Sequence, residues 1–230
     1  MSDRYFVQSP VVSDRVVLVG PEAHHLLHVM RARPGTCITL FDGSGWQFDA
    51  LVEQIGRNGV ELTIGGRQQV DREAPIAVTL GVALPKGDRQ KWLVEKVVEL
   101  GIARLVPLET ERGVAQPRAS AVERLRRGVI EASKQCGRNR LMEIAEPKTW
   151  PAFLAENATA ECRLVAHPGQ STPPPPTSAP RAAVAIGPEG GFTDEEIAAS
   201  VAQGWQTVDL GPRVLRVETA AVALAARLIG

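Results

Sequence analysis

From Ile76 to the C-terminus the chain alternates short apolar, β-branched runs with segments whose apolar residues recur at helical spacing. This alternation is the strongest limit on what it can fold into. Residues 76–84 form a continuous apolar run, as expected of a strand buried on both faces. Asp88 then predicts a helix cap, Trp92, Leu93, Val97 and Leu100 form a helical stripe, and Gly101 is the stop. A strand over 102–108 leads to a second helix. Ser120 and Glu123 open that helix as a capping box, and Val122, Leu125, Val129 and Ile130 form its buried stripe. Strands over 163–166, 182–186 and 207–210 follow, with one helix from Thr193 and a last helix from about Glu218. Alternation sustained over about 155 residues implies a mostly parallel sheet covered on both faces.

Up to about residue 70 the pattern is different. Candidate strands at 10–12, 15–18, 37–41, 46–52 and 60–64 are separated by turn chemistry, with one helix expected over 21–33. Asp42-Gly-Ser-Gly45 reads as a hairpin turn, since glycine reaches positive φ without steric cost. A small β-barrel is the expected outcome. The proline-rich stretch 171–180 falls inside the α/β pattern and reads as a surface loop between strands.

With 44% hydrophobic and 23% charged residues, the 230-residue chain can bury a core without staples. The N-terminus has no basic, apolar leader, and no apolar run approaches the roughly 20 residues needed to span a bilayer. Three cysteines, Cys37, Cys136 and Cys162, are odd in number and far apart, which fits reduced thiols in the cytoplasm. The net charge of zero is unevenly spread. Residues 1–85 carry 7 basic and 9 acidic side chains, 86–140 carry 13 and 7, and 141–230 carry 6 and 10. A polyanion would settle on the middle segment, although such charges also serve simply to solvate helices.

In open α/β sheets ligands sit beyond the carboxyl ends of the strands. Three loops fall there: His167-Pro-Gly169, Gly187-Pro-Glu-Gly-Gly191 and Gly211-Pro-Arg-Val-Leu-Arg216. In the middle loop the glycines let backbone approach a ligand, and Pro188 stiffens the turn. Thr193 and Glu196 form a capping box, and Phe192 can pack on Ile197 as a hydrophobic staple. The loop has neither a P-loop ending nor the Gly-x-Gly-x-x-Gly spacing. Asp194, Glu195 and Glu196 behind it would repel a triphosphate, so a ligand of positive or mixed charge is favoured. By itself this loop is equally a tight strand-to-helix turn with no ligand. The third loop and the residues just after it add Arg213, Arg216 and Glu218, which core packing does not need together there.

These residues resemble a known family. Ile186-Gly-Pro-Glu-Gly-Gly-Phe192 followed by Leu210-Gly-Pro-Arg-Val-Leu-Arg-Val-Glu-Thr-Ala220 is similar to the signature of the RsmE family. Leu84-Pro-Lys-Gly-Asp-Arg89 with Glu95-Lys-Val-Val-Glu-Leu-Gly101, and Glu131-Ala-Ser-Lys-Gln-Cys-Gly-Arg138, resemble its inner motifs. His24 to Gly35, with Phe41-Asp-Gly43, resembles its N-terminal part. The likeness covers nearly the whole chain. That family methylates N3 of a uridine in 16S ribosomal RNA and belongs to the SPOUT superfamily.

The resemblance implies an α/β fold: a SPOUT-type trefoil-knotted parallel sheet over residues 73–230, with a small N-terminal PUA-like β-barrel over 1–72 for RNA. It implies S-adenosylmethionine as cofactor, 16S ribosomal RNA or the small subunit as partner, and a homodimer through the C-terminal knot domain. Carried over, the cofactor contacts are Gly187, Glu189, Gly190, Gly191, Leu210, Gly211, Leu215 and Arg216. Candidate catalytic residues are Arg216, Glu131, Gln135 and Arg138, three of them at helical steps on one polar face that is otherwise simply a solvated one. Glu218 is either a group near the methyl or a helix N-terminal charge. Arg31, Arg33, Lys86, Arg89, Arg124, Arg126 and Arg127 are expected to contact RNA phosphates. His24, His25 and His28 lack the ligand set of a metal site, and Trp92 is expected in the core. The competing expectations are a SPOUT enzyme acting on tRNA or a ribose hydroxyl, and an RNA-binding ribosome-assembly factor without chemistry.

Overall fold

A computed structural model describes residues 4–113, 119–169 and 179–230. The side chain of Ser120, expected in a capping box, and residues 171–178 of the proline-rich stretch lie outside the described residues. The chain divides into two compact units, Met1–Glu73 with Ser133–Leu141, and Ala74–Ala132 with Met142–Gly230.

The first unit contains β1 (Arg4–Phe6), β2 (Arg15–Leu18), α1 (Gly20–His24), a π-helical turn (His25–Val29), β3 (Cys37–Phe41), β4 (Trp46–Gly56) and β5 (Gly59–Gln69). The five strands form one sheet in the order β1-β3-β4-β5-β2. β1 runs parallel to β3 and the other pairs are antiparallel. Alternation along β4 and β5 sends Phe48, Ala50, Val52, Val60, Leu62 and Ile64 into a core with Tyr5, Leu18, Leu26, Ile38 and Leu40. Register shifts at Asp49/Ala50 and Val52/Gln54 bend the long strands.

Two expectations fail in this unit. Residues 10–12 are not a strand: Val11 is buried, Val12 is 83% exposed, and β1 supplies the edge instead. The helix expected over 21–33 ends at Val29, because Arg31 sits at φ 55° and Pro34 disfavours helix at Arg33.

The second unit holds β6 (Ala77–Val82), α2 (Arg89–Glu99), β7 (Arg104–Glu109), most of α3 (Ala119–Cys136), β8 (Glu143–Ile144), β9 (Lys148–Thr149), α4 (Trp150–Glu156), β10 (Cys162–Ala166), β11 (Arg181–Ile186), α5 (Asp194–Ala202), β12 (Gln206–Val208) and α6 (Val217–Ile229). The strands order as β12-β10-β11-β6-β7-β8, with β9 beside β7, and every pairing is parallel. On β11, Ala183 and Ala185 join a core with Trp150, Phe153, Leu154, Phe192 and Trp205. Alternation sends Ala182, Val184 and Ile186 to the other face, and α6 packs on β11, β6 and α2. The sheet is therefore covered on both sides, which is why β6 and β11 read as unbroken apolar runs.

Three local departures occur here. Asp88 stands at the start of α2 in helical conformation (φ −66°, ψ −17°) and makes no side-chain cap bond. Trp92 is not core but 43% exposed, because Leu93, Val94, Val97 and Val98 take the buried stripe. The short helix α4 has no counterpart in the sequence expectation. Thr149 in extended conformation and a proline in the first turn start it, and the Phe153 ring points its Cζ edge at Gly81 of β6, where a Cβ would stand 2.5 Å from Cζ.

Candidate functional site

The strand order places β12, β10 and β11 side by side, so the loops leaving their carboxyl ends are neighbours although 20 to 45 residues separate them in sequence. Together they wall a cavity of about 400 Å³ in the second unit. His167 and Pro168 come from the end of β10, Gly187 to Phe192 from β11, and Asp209 to Leu215 from β12. The floor and sides are apolar: Ile186, Val208, Leu215, Val217 and Ala220. The rim is charged in both senses, with Glu189, Asp194 and Asp209 against Arg112 and Arg213.

Each loop is held from within the unit. The His167 amide donates to Val208 O (2.9 Å). The Asp209 carboxylate accepts from the Gly169 amide through Oδ2 (3.1 Å) and from the Gly211 amide through Oδ1 (2.9 Å). One side chain thus braces two loops.

The loop after β11 is fixed more firmly. Gly191, at φ 71°, donates its amide to Pro188 O (2.8 Å), closing a tight turn. Thr193 Oγ1 accepts from the Glu196 amide and Glu196 Oε2 accepts from the Thr193 amide, the complete capping box that the sequence predicts. Phe192 is buried with Ile197 packed against the same cluster, and the Trp150 ring stands 4.5 Å from it. At Gly187 a Cβ would fall 2.9 Å from the Phe192 ring, so only glycine fits beneath that anchor. Gly191 and Gly211 (φ 118°) face open space instead. There the backbone itself forms the wall, leaving room for a ligand to lie against it.

Two arginines reach this loop from other elements. Arg112, beyond β7, donates Nη1 to Gly190 O (2.9 Å) and, at 3.5 Å, to Phe192 O. Arg89, the first residue of α2, pairs with Glu189 (3.4 Å) and Glu218 (3.8 Å). Glu218 is buried near the start of α6 with its side chain only 8% exposed, where the helix dipole favours a carboxylate.

Of the expected cofactor contacts, Gly187, Glu189, Gly190, Gly191, Leu210, Gly211 and Leu215 all line the cavity. Arg216 does not; it is exposed at the N-cap of α6. Among the catalytic candidates, Glu131 and Gln135 are exposed along α3. Arg138 is 3% exposed, and its guanidinium donates to both carboxylate oxygens of Glu73. Among the phosphate candidates, Arg31, Arg33, Lys86, Arg124 and Arg127 are exposed. Arg124 bonds Gln90, Arg126 is held by Glu123 and Glu146, and Arg89 is engaged by Glu189 and Glu218. The His24 and His28 rings stand 4.5 Å apart, and among the described residues no group of three or more metal-ligating side chains is assembled. Cys37, Cys136 and Cys162 are free thiols.

Sequence reasoning missed Arg112 and the bracing role of Asp209. Asp209 was findable, since an aspartate two residues before a glycine is an Asx-turn signal. Arg112 had none, because only the sheet order brings its loop to residue 190.

Comparison with known proteins gives a consistent result. Residues 72–229 match the RNA methyltransferase domain family, and residues 18–65 match the RNA methyltransferase PUA domain. A Synechocystis protein named ribosomal RNA small subunit methyltransferase E is 34% identical over 94% of this chain and 73% of its own length. A putative methyltransferase of Legionella pneumophila, solved with the bound cofactor SAM, superposes with a TM-score of 0.91 at 33% identity, over 98% of this chain and 96% of its own. A ribosomal RNA small subunit methyltransferase E from Neisseria gonorrhoeae, bound to S-adenosyl methionine, gives 0.90 at 30% identity, over 98% and 96%.

Proposed function

This chain belongs to the ribosomal RNA small subunit methyltransferase E family, and on that premise we propose that it transfers the methyl of S-adenosylmethionine to N3 of a uridine in 16S ribosomal RNA. The observation that carries the proposal is the single cavity walled by the loops after β10, β11 and β12.

The residues present suit the cofactor. Ile186, Val208, Leu215, Val217 and Ala220 give an apolar slot for a purine, and the bare backbone at Gly191 and Gly211 lets it lie close. Carboxylates and guanidinium groups at the rim match a ligand that carries an ammonium, a sulfonium and a carboxylate. Gly187, Glu189, Gly190, Gly191, Leu210, Gly211 and Leu215 would hold it. When bound, the cofactor supplies a methyl already attached to a good leaving group. The chain's own task is then mostly alignment of donor and acceptor, which can account for much of the rate.

The N3 proton must leave, and a cation near the imide oxygens would stabilise the anion left behind. Arg216, at the start of α6 beside two cavity-lining residues, is our first choice for that role. Glu131 and Gln135 on α3 are assigned to the uridine side. Arg138 belongs to the same motif, but its hold on Glu73 gives it a structural task as well. The exposed cations Arg31, Arg33, Lys86, Arg124 and Arg127 supply phosphate contacts. The same premise implies an N-terminal RNA-binding domain over 1–72, a knotted methyltransferase domain over 73–230, a homodimer packed through the knot, and work in the cytoplasm. Among the described residues no helix is long and apolar enough to cross a membrane.

The test has two stages. Calorimetric titration with S-adenosylmethionine should give one site per chain, and absence of binding would end the enzyme reading. Mass-spectrometric mapping of small-subunit RNA, before and after incubation with protein and cofactor, should then show one new N3-methyluridine. A new methyl on tRNA or on a ribose hydroxyl would move the target.

A further inference from the structure

We propose that Arg112 is a positioning residue that holds the cofactor loop in its binding shape from outside that loop. The inference rests on the reading of the cavity as a cofactor site, and it concerns a residue that reaches the site from a different strand end.

Its geometry is unusual for a surface arginine. Among the described residues the guanidinium pairs with no carboxylate; Nη1 instead donates to the backbone carbonyls of Gly190 (2.9 Å) and Phe192 (3.5 Å). These two carbonyls flank Gly191, the left-handed residue that closes the turn on Pro188. The arginine's aliphatic stem lies on Gly190, where an added Cβ would meet its Cβ and Cδ at 3.5 Å. The preceding residue works in the same direction. The Glu111 amide donates to Glu196 Oε1 (3.0 Å), and the other oxygen of that carboxylate closes the capping box on Thr193. Residues 111 and 112 therefore grip the turn and the helix start together.

A glycine-rich turn has many backbone states to lose, and glycine loses more freedom on ordering than any other residue. Pro188 limits one end and the capping box the other, which leaves Gly190 and Gly191 as the free part. A cation bonded to the carbonyls on both sides of Gly191 selects one of those states before a ligand arrives. Binding then avoids that ordering cost. Arg112 also lines the cavity, so its shift on substitution would be felt where the ligand sits.

The experiment compares Arg112→Ala and Arg112→Lys with the unaltered protein. Calorimetric affinity for S-adenosylmethionine should fall about tenfold in Arg112→Ala, the effect of losing roughly one to two net hydrogen bonds. Arg112→Lys should recover part of it, since an ammonium can still reach one carbonyl. In steady state, KM for the cofactor should rise by a similar factor while kcat at saturating cofactor stays within about twofold. In the absence of any ligand, hydrogen exchange at the Gly191 amide should be faster in Arg112→Ala, with exchange in β6 and β11 unchanged. Unaltered affinity together with unaltered exchange at Gly191 would overturn the proposal. So would a fall in kcat at constant KM, which would place Arg112 on the reacting atoms. Failure of the unaltered protein to bind the cofactor would instead sink the reading of the site. Exchange at Gly191 would still decide whether Arg112 holds the turn.

Discussion

Replacing Gly187 by alanine should damage the loop after β11 through one identifiable collision. Its Cβ would stand 2.9 Å from Phe192 Cδ2 and 3.1 Å from both Cε2 and the Phe192 backbone nitrogen. Ordinary contacts begin several tenths of an ångström further out. The ring cannot retreat easily, because Phe192 is 3% exposed and lies against Trp150 at 4.5 Å, with Trp150 in turn near Phe153 and Trp205. The nitrogen is fixed by the helix start behind it. Overpacking of this kind costs about 1–3 kcal/mol. For a chain of this length that is a fall in Tm of roughly 3–9 °C. Gly191→Ala is the matched control. Its Cβ meets nothing within 4 Å, so only the φ of 71° is penalised, by about 1 kcal/mol. Calorimetric melting of both variants should therefore rank Gly187→Ala as the more destabilised. Cofactor titration should show that Gly191→Ala loses affinity although its Tm falls by only about 3 °C, because its methyl occupies ligand space. Equal melting of Gly187→Ala and the unaltered protein would refute the packing argument, and so would a larger loss at Gly191.

Other expectations follow from the same structure. Thr193→Ala removes half of the capping box and should cost about 1 kcal/mol, read as a lowered Tm. Glu73→Ala takes away the carboxylate that faces the 4%-exposed Arg138 side chain, and should destabilise by about 3 kcal/mol in urea unfolding. Arg138→Met should cost less, because the Glu73 left behind is 22% exposed and can be hydrated. RNA binding should weaken steeply with salt, and Arg124→Ala with Arg127→Ala should flatten the log–log slope by about two; an unchanged slope would remove these residues from the phosphate contacts. The Glu161 carboxyl is held below its ordinary range, first by a backbone amide and then by Arg181. A lowered folded-state pKa adds stability above the unfolded value, which is lost as pH falls through the folded one. Carboxyl NMR titration should show the depressed value, and Arg181→Ala should move it part of the way back.

The elements legible in the sequence were those whose burial is uniform or strictly alternating. β6 and β11 are covered on both faces, so their apolar runs were unambiguous; α6 is buried along most of its length, and the Thr193–Glu196 box announced α5. The misses share a physical character. The seven residues of α4 make too few turns to show a period, and the helix exists because Phe153 fits over Gly81, a tertiary fact. β1 has three residues and is defined by its pairing with β3. Trp92 was expected in the core because it fell within the helical stripe of Leu93, Val97 and Leu100; the stripe that is buried is Leu93, Val94, Val97 and Val98, which leaves the indole outside. At the site, the glycine-bearing loops were visible because backbone demands appear directly as glycine and proline. Arg112 was invisible because its partners are carbonyl oxygens, which every residue has.

That contrast bears on how such a site tolerates change. Most of the cavity wall is backbone, or apolar side chain that any similar hydrophobe could replace. Specificity therefore depends on the path of three loops more than on the identity of their side chains. The path is set by a few contacts that lie off the cavity floor: Phe192 under Gly187, the Asp209 carboxylate spanning two loops, Arg112 on two carbonyls, and Arg89 between Glu189 and Glu218. Asp209→Asn tests the idea directly. The two amides are met by different oxygens of the carboxylate, and in asparagine one of those positions becomes an NH2 donor, so in this geometry one of the Gly169 and Gly211 amides faces a donor and loses its partner. One loop must then be released without any apolar contact being lost. Cofactor affinity should fall severalfold while Tm moves by no more than about 2 °C. An affinity unchanged within a factor of two would show that the loops keep their course without that brace, and would locate specificity in the side chains after all.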